Sequence, residues 1–241
     1  VSAVDGMDGV DGMDRILVVT GTGTEVGKTI TTAALAAVVI AAGRTVAVVK
    51  PAQTGVADGE PGDVDVVARL AAGVTARELA RYPEPLAPAT AARRSGRAPV
   101  RPAEVGAVVQ ALARTHDLVL VEGAGGLLVR LDDAGSTLAD VAALVGAPVL
   151  VVAAAGLGTL NATALTTEVL RTRGLACPGV VVGALPSEPD LAARCNLTDL
   201  PEVAGVPLLG VLPAGAGDLD GAAFREQAAD WLAPRLGGRW G

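Results

Sequence analysis

From Arg15 onward the chain alternates short, continuous aliphatic runs with longer stretches of helical character. Arg15–Thr20 (RILVVT) reads as a buried strand, Lys28–Ala42 as a helix closed by Gly43, and Thr45–Lys50 (TVAVVK) as a second strand. Val64–Ala72 and Pro102–Thr115 read as helices, the latter feeding a strand at Leu118–Glu122. A Gly-Ala-Pro turn at 146–148 leads into the strand Val149–Ala153, followed by a helix at Leu160–Arg173 and strands at Gly179–Gly183 and Leu208–Leu212. Unbroken Val, Leu and Ile runs separated by helices mark a parallel sheet covered on both faces. Right-handed crossovers then give a three-layer α/β fold with a mainly parallel, doubly wound sheet.

Val141–Thr167 carries no charged residue and is long enough to suggest a membrane span. Pro148 and the glycines at 146, 156 and 158 instead divide it into a helix end, a strand, a turn and a new helix. Residues 1–14 (VSAVDGMDGVDGMD) show no apolar periodicity and neither a basic nor an apolar leader region. They read as a disordered extension before one domain at 15–241, with Met13 as an alternative start and the cytoplasm as the expected location.

The composition narrows the function. The 241 residues are 51% hydrophobic and only 2% aromatic, so the core is one of small aliphatic side chains. A domain of this length buries about 70–75% of its unfolded surface. A formal charge of -7 and no Lys/Arg stripe give no footprint for nucleic acid. Cys177 and Cys195 have neither metal-ligand spacing nor a disulfide framework. Of the 19 cationic residues 17 are Arg, and the two lysines, Lys28 and Lys50, both fall inside motifs. A lysine kept against an arginine bias points to a need for a compact, mobile ammonium group.

The first strand runs into Gly21-Thr-Gly-Thr-Glu-Val-Gly-Lys-Thr29 and then a helix. Such a loop presents backbone N–H groups and a helix N-terminus to phosphate oxygens, with Lys28 reaching the outer phosphates and the Thr29 hydroxyl available to Mg²⁺. Thr22 stands where the usual P-loop has its first glycine, and Gly21 comes one residue early. A dinucleotide fingerprint fits worse, because Val26 occupies the third glycine position. The second strand ends in Lys50-Pro-Ala-Gln-Thr-Gly55, at the sheet edge where ligands bind in such folds. Asp63 and Asp65 enter the next helix, each a candidate metal ligand or N-cap. Glu122, closing LVLV before Gly-Ala-Gly-Gly126, stands where a P-loop protein places the acid of its Mg²⁺ site.

Taken together these segments resemble the dethiobiotin synthetases, supported by Tyr82–Ala92 (YPEPLAPATAA) and Gly156–Asn161 (GLGTLN), over about residues 15–215. The resemblance implies a homodimer that closes a ureido ring on diaminopelargonate with CO₂ (or bicarbonate), Mg²⁺ and a nucleoside triphosphate, ATP or another such as CTP. One amine becomes a carbamate, the carbamate attacks the γ-phosphate, and the second amine closes the ring on the mixed anhydride. The implied catalytic residues are Lys50, Lys28 and Glu25. The implied nucleotide contacts are Glu25, Val26, Gly27, Lys28, Thr29 and Ile30 of the loop, Asp63, and Glu122, Gly123, Ala124 and Gly125. Gly183, Ala184, Pro213, Ala214 and Gly215 fall at the base pocket. Thr29, Asp63 and Glu122 are the implied metal ligands, Asp63 suiting better than Asp65 by its distance to Arg69. Thr24 and Thr54 face the substrate, and Thr159, Leu160 and Asn161 of the other subunit receive its carboxylate at a helix N-terminus.

Two departures stand out: Gly23 replaces an aspartate of some members, and Gly183-Ala184 replaces an asparagine that reads adenine. His116 lies away from every motif, and Trp231 and Trp240 read as structural. The competing readings are an ATP-driven switch of the chromosome-partitioning or division-site kind, and a cobyrinate-type amidoligase. The switch carries a lysine where this chain has Gly23, and a basic amphipathic C-terminal helix where Phe224–Arg239 is mixed in charge. The amidoligase needs a glutamine amidotransferase domain for which 241 residues leave no room.

Overall fold

The computed structural model describes residues 14–241, so all but Asp14 of the expected extension lies outside the described residues. The chain runs β1 (Ile16–Gly21), α1 (Lys28–Ala41), β2 (Val46–Thr54), α2 (Asp63–Ala71), β3 (Thr75–Tyr82), α3 (Pro88–Ser95) and α4 (Pro102–Ala113). It continues with β4 (Leu118–Gly126), α5 (Leu138–Val145), β5 (Val149–Ala153), α6 (Thr159–Thr172), β6 (Val180–Leu185), α7 (Leu191–Ala204), β7 (Leu208–Pro213) and α8 (Gly221–Gln227). Short 3₁₀ turns follow β7 and α8. Among the described residues the strands form one seven-stranded sheet in the order β3-β2-β4-β1-β5-β6-β7, every pair parallel.

The aliphatic runs are strands because both faces of each are buried. Alternate residues of a strand point to opposite faces. Leu17, Val46, Val48, Leu118, Leu120, Leu150 and Val152 accordingly join α1, α2 and the C-terminal Phe224 and Trp231 in one core. Val18, Ala47, Val49, Val119, Val121, Val149 and Val151 join α4, α5, α6 and α7 in the other. Alanine fills the middle of α1, where Ala33, Ala34, Ala36 and Ala37 are buried, so this helix lies close against the strands beneath it.

Three differences from the sequence reading matter for the site. β2 and β4 run on past Lys50 and Glu122, to Thr54 and Gly126. The extra length of β2 is held by β3, an unforeseen edge strand whose residues Ala80, Arg81 and Tyr82 pair with Ala52, Gln53 and Thr54. β3 (TARELARY) is only half-buried and has no aliphatic run, which is why its sequence does not read as a strand. The helices α3 and α7 were unforeseen as well; α7 carries Pro201 inside it and begins on an exposed Leu191. No described helix is long and apolar enough to cross a membrane.

Candidate active site

The carboxyl ends of β1, β2 and β4 meet at one edge of the sheet because β4 lies between the other two. Register does the rest: Val49 pairs with Val121 and Val19 with Glu122, so Lys50 and Glu122 leave adjacent strands at the same height. The loop from β1 returns over this edge and enters α1 through Gly27, whose φ of 93° is left-handed. Glu25 holds φ 58° without being glycine, a local strain of the kind that collects in ligand-binding loops.

Lys50, 3% exposed, is the centre of the cluster. Its Nζ lies 2.5 Å from Asp63 Oδ2 and 2.8 Å from Glu122 Oε1, and donates to the Gly123 carbonyl at 3.0 Å. Burial acts to lower its pKa, yet the charges of Glu122 and Asp63 and their hydrogen bonds outweigh it, and the pKa is raised. Glu122, 1% exposed, also accepts a hydrogen bond from Thr29 Oγ1 at 2.9 Å. Lys28 lies back along its own loop and donates to the Gly23 carbonyl at 2.8 Å. Its pKa is lowered, by burial first and by the Lys50 charge second, against the opposing pull of Glu122 and Asp63.

The two aspartates of α2 part here. Asp63 faces Lys50, whereas Asp65 Oδ2 accepts the Gly62 N–H at 2.7 Å and closes the start of its own helix. Gln53, which the sequence reading did not single out, holds Asp63 from the other side, its Oε1 accepting the Asp63 N–H at 2.8 Å. Its place in Lys-Pro-Ala-Gln-Thr-Gly was the one available signal.

Asp63 and Glu122 both meet the Lys50 ammonium and Thr29 donates to Glu122, so a hydroxyl and two carboxylates lie in one cluster. Among the described residues no group of three or more His, Cys, Asp or Glu could hold a metal ion. An all-oxygen set with only two carboxylates fits Mg²⁺, which keeps water and takes further oxygens from a bound phosphate.

Gly183 serves the loop sterically: a Cβ there would lie 2.1 Å from the Val26 carbonyl oxygen and 2.9 Å from Gly27 Cα. Close approach of the phosphate loop to β6 therefore demands glycine at this position, while Ala184 beside it is exposed. Gly123 has less strict a constraint, its Cβ position 2.5 Å from the Leu138 Cδ2 methyl rather than from backbone, and a Cβ on Gly125 would meet Thr24 Oγ1 at 3.6 Å. Ala124 follows Gly123 along β4. Ile30 packs against Gly217, in the turn after Pro213, Ala214 and Gly215. Thr54 ends β2, half-buried.

A cleft of about 460 Å³ opens beside the loop, lined by Thr22, Gly23, Thr24, Leu128, Leu165 and Val169 among others. A second, of about 400 Å³, lies between Glu25, Ala155, Ala184 and Glu188. Thr159, Leu160 and Asn161 form the first turn of α6, whose later residues, not these, line the first cleft. The Thr159 hydroxyl is buried without a hydrogen-bond partner.

A parallel α/β sheet with a glycine-rich loop, Lys28 and Thr29 at a helix start and an acid on a neighbouring strand defines a P-loop nucleoside-triphosphate-binding protein. Solved structures of the same fold include the septum site-determining protein MinD with Mg-ADP from Pyrococcus horikoshii, at TM-score 0.58 and 20% identity, covering 90% of this chain and 96% of that one. A ParA family ATPase from Chlorobium tepidum has TM-score 0.57 at 13% identity, covering 93% and 95%. At such identities the likeness is one of fold. A family model described as an AAA domain matches residues 15–217. Proteins named ATP-dependent dethiobiotin synthetase are far nearer in sequence: 71% identical in Saccharopolyspora erythraea, over 93% of this chain and 98% of that protein. The identity is 68% in Streptomyces avermitilis and 65% in Streptomyces coelicolor, each over 93% of this chain and 94% of the relative. This chain belongs to the dethiobiotin synthetase family.

Proposed function

We propose that this chain is an ATP-dependent dethiobiotin synthase, a ligase that joins both amines of diaminopelargonate to one carbon from CO₂. The observation that carries the reading is the meeting of Lys50, Asp63, Glu122 and Thr29 beside the Lys28 loop at one sheet edge. A nucleotide switch needs phosphate and metal groups; a second, buried lysine suits a second anion brought to the γ-phosphate.

The chemistry follows from charge. One amine adds to CO₂ and loses a proton, giving a carbamate, and a carbamate oxygen attacks the γ-phosphorus as ADP leaves. The other amine then attacks the carbamoyl carbon of the mixed anhydride and expels phosphate, closing the ring. Carbamate and triphosphate repel each other, so holding them in line requires fixed positive charge. Lys28, at the helix start, serves the phosphates and the carbamate. Lys50, kept charged by its two carboxylates, serves the charge that develops on the transferred group. Thr29, Asp63 and Glu122 would hold Mg²⁺, which when bound would neutralise charge on the triphosphate. Glu25, exposed at the crest of the loop, is the remaining acidic candidate there.

The apolar lining of the first cleft, with Leu127, Leu128, Leu165 and Val169, suits the aliphatic chain of the substrate, and Thr24 in the same lining suits its polar end; Thr54, at the end of β2, is the other hydroxyl assigned to the substrate. Leu157, 93% exposed just before α6, supports a homodimer that brings Thr159, Leu160 and Asn161 of a partner to the substrate carboxylate. Residues 15–241 work as one ligase domain in this reading, in the cytoplasm, where the free thiols Cys177 and Cys195 stay reduced.

The test is product mass spectrometry with diaminopelargonate, ¹³C-bicarbonate, Mg²⁺ and ATP or CTP in parallel. Labelled dethiobiotin with one phosphate per turnover is expected, and the ratio of the two reactions ranks the bases. Nucleotide hydrolysis without labelled product would move the chain to the ATPase switches that share its fold.

A further inference from the structure

The loop after β7 is pinned at three points. At its start the Ala214 N–H donates to the Leu185 carbonyl at the end of β6, 2.7 Å away. In its middle Gly217 sits against Ile30: a Cβ would come 2.7 Å from Ile30 Cδ1. The third point is Arg69, in the last turn of α2. Its Nη2 donates to the Gly217 carbonyl at 2.7 Å and its Nη1 to the Leu219 carbonyl at 3.1 Å. One planar guanidinium thus grips two carbonyls of the turn Ala216–Asp218 and its exit, a geometry that a lysine cannot copy. The residues that this turn supports, Pro213, Ala214 and Gly215, are all exposed and have no packed side chains to set their shape.

We propose that Arg69 is a positioning residue for base recognition: its grip on Gly217 and Leu219 sets the main-chain wall against which the nucleotide base lies. The proposal rests on the reading of Pro213–Gly215 as that wall. The helix α2 then spans the nucleotide, with Asp63 at its metal end and Arg69 at its base end. Since Ala184 offers no side-chain amide, main-chain placement is the means of base contact that remains on this side. Arg69 touches no reacting atom. Its loss weakens ground state and transition state alike, which raises KM and spares kcat.

The experiment compares the full chain with Arg69→Ala and Arg69→Lys, varying ATP and, separately, measuring inhibition by Mg-tripolyphosphate, which carries the phosphates without a base. Arg69→Ala should raise the KM for ATP about tenfold, the size of effect expected from losing hydrogen bonds to a charged donor, with kcat within about twofold. Its inhibition constant for tripolyphosphate should stay at the parent value, and Arg69→Lys should fall between parent and Ala. An unchanged KM for ATP overturns the proposal. So does a parallel weakening of ATP and tripolyphosphate, because Arg69 would then merely support the fold. Ala214→Arg separates the proposal from the reading beneath it. An unaltered KM in that variant shows that the loop is not the base wall, whereas an altered one beside a normal Arg69→Ala shows that the wall needs no clamp.

Discussion

Lys50 and Asp63 carry the sharpest predictions at the scale of single residues. Lys50→Ala removes the only cation bound between Asp63 and Glu122 in the described cluster. Product formation should fall by at least about 10²-fold, since a donor to developing charge is lost. Nucleotide binding, followed with a fluorescent analogue, should survive because Lys28 and the loop remain; unchanged turnover would overturn the assignment. Asp63→Asn and Asp65→Asn should differ in kind. The first should raise the Mg²⁺ concentration for half-maximal rate by about tenfold or more. The second should leave it alone and cost about 1 kcal/mol of stability in urea titrations, as the loss of a helix cap does. Both acids were visible in the sequence, side by side in one helical turn, and that pattern could not separate them. The rotation of α2 does, turning Asp63 to Lys50 and Asp65 back to the Gly62 N–H.

Among the elements, α5 shows how a local cap makes stability depend on pH. Asp140 Oδ2 accepts both the N–H and the hydroxyl of Thr137, each at 2.7 Å. Burial acts to raise its pKa, but these bonds and Arg173 outweigh it and hold the carboxyl below its ordinary value of 3.8. A carboxylate with a depressed pKa stabilises the fold above its unfolded pKa, and that contribution disappears as the pH falls through the lower folded value. Asp140→Asn should therefore be less stable than the parent near neutral pH, and the gap between their urea midpoints should close as the pH falls below the ordinary carboxylate range. The contact of β6 with the phosphate loop makes the converse case. Gly183→Ala has no room for its methyl group, so it should push the loop aside and weaken ATP binding. Isothermal titration would show it, and full binding by that variant would mean that the loop gives way easily. Most strands were legible as aliphatic runs because both their faces are buried. β3 was not, because an edge strand of alternating Arg, Glu and Ala is stabilised by its partner rather than by its own pattern.

For the molecule as a whole, the proposed homodimer makes a testable claim about the exposed Leu157, which lies outside the substrate cleft. Leu157→Asp should give a monomer by light scattering that binds ATP and forms little dethiobiotin, if a partner's α6 completes the substrate site. A dimer that persists, or a fully active monomer, would sink that arrangement. The parallel sheet, the phosphate loop with its lysine, and the acid that ends a buried aliphatic run could all be read from spacing alone, since each depends on residues a few positions apart. The meeting of Lys50 with Glu122, 72 residues away, could not. It depends on β4 entering between β1 and β2 and on the register that levels their ends. Strand order and register are settled by which arrangement buries both faces of every strand at once, a global condition that no local window contains. The same holds for Gly183 beneath the loop and Arg69 on the turn after β7: each acts through a partner remote in the chain, and only packing brings them together.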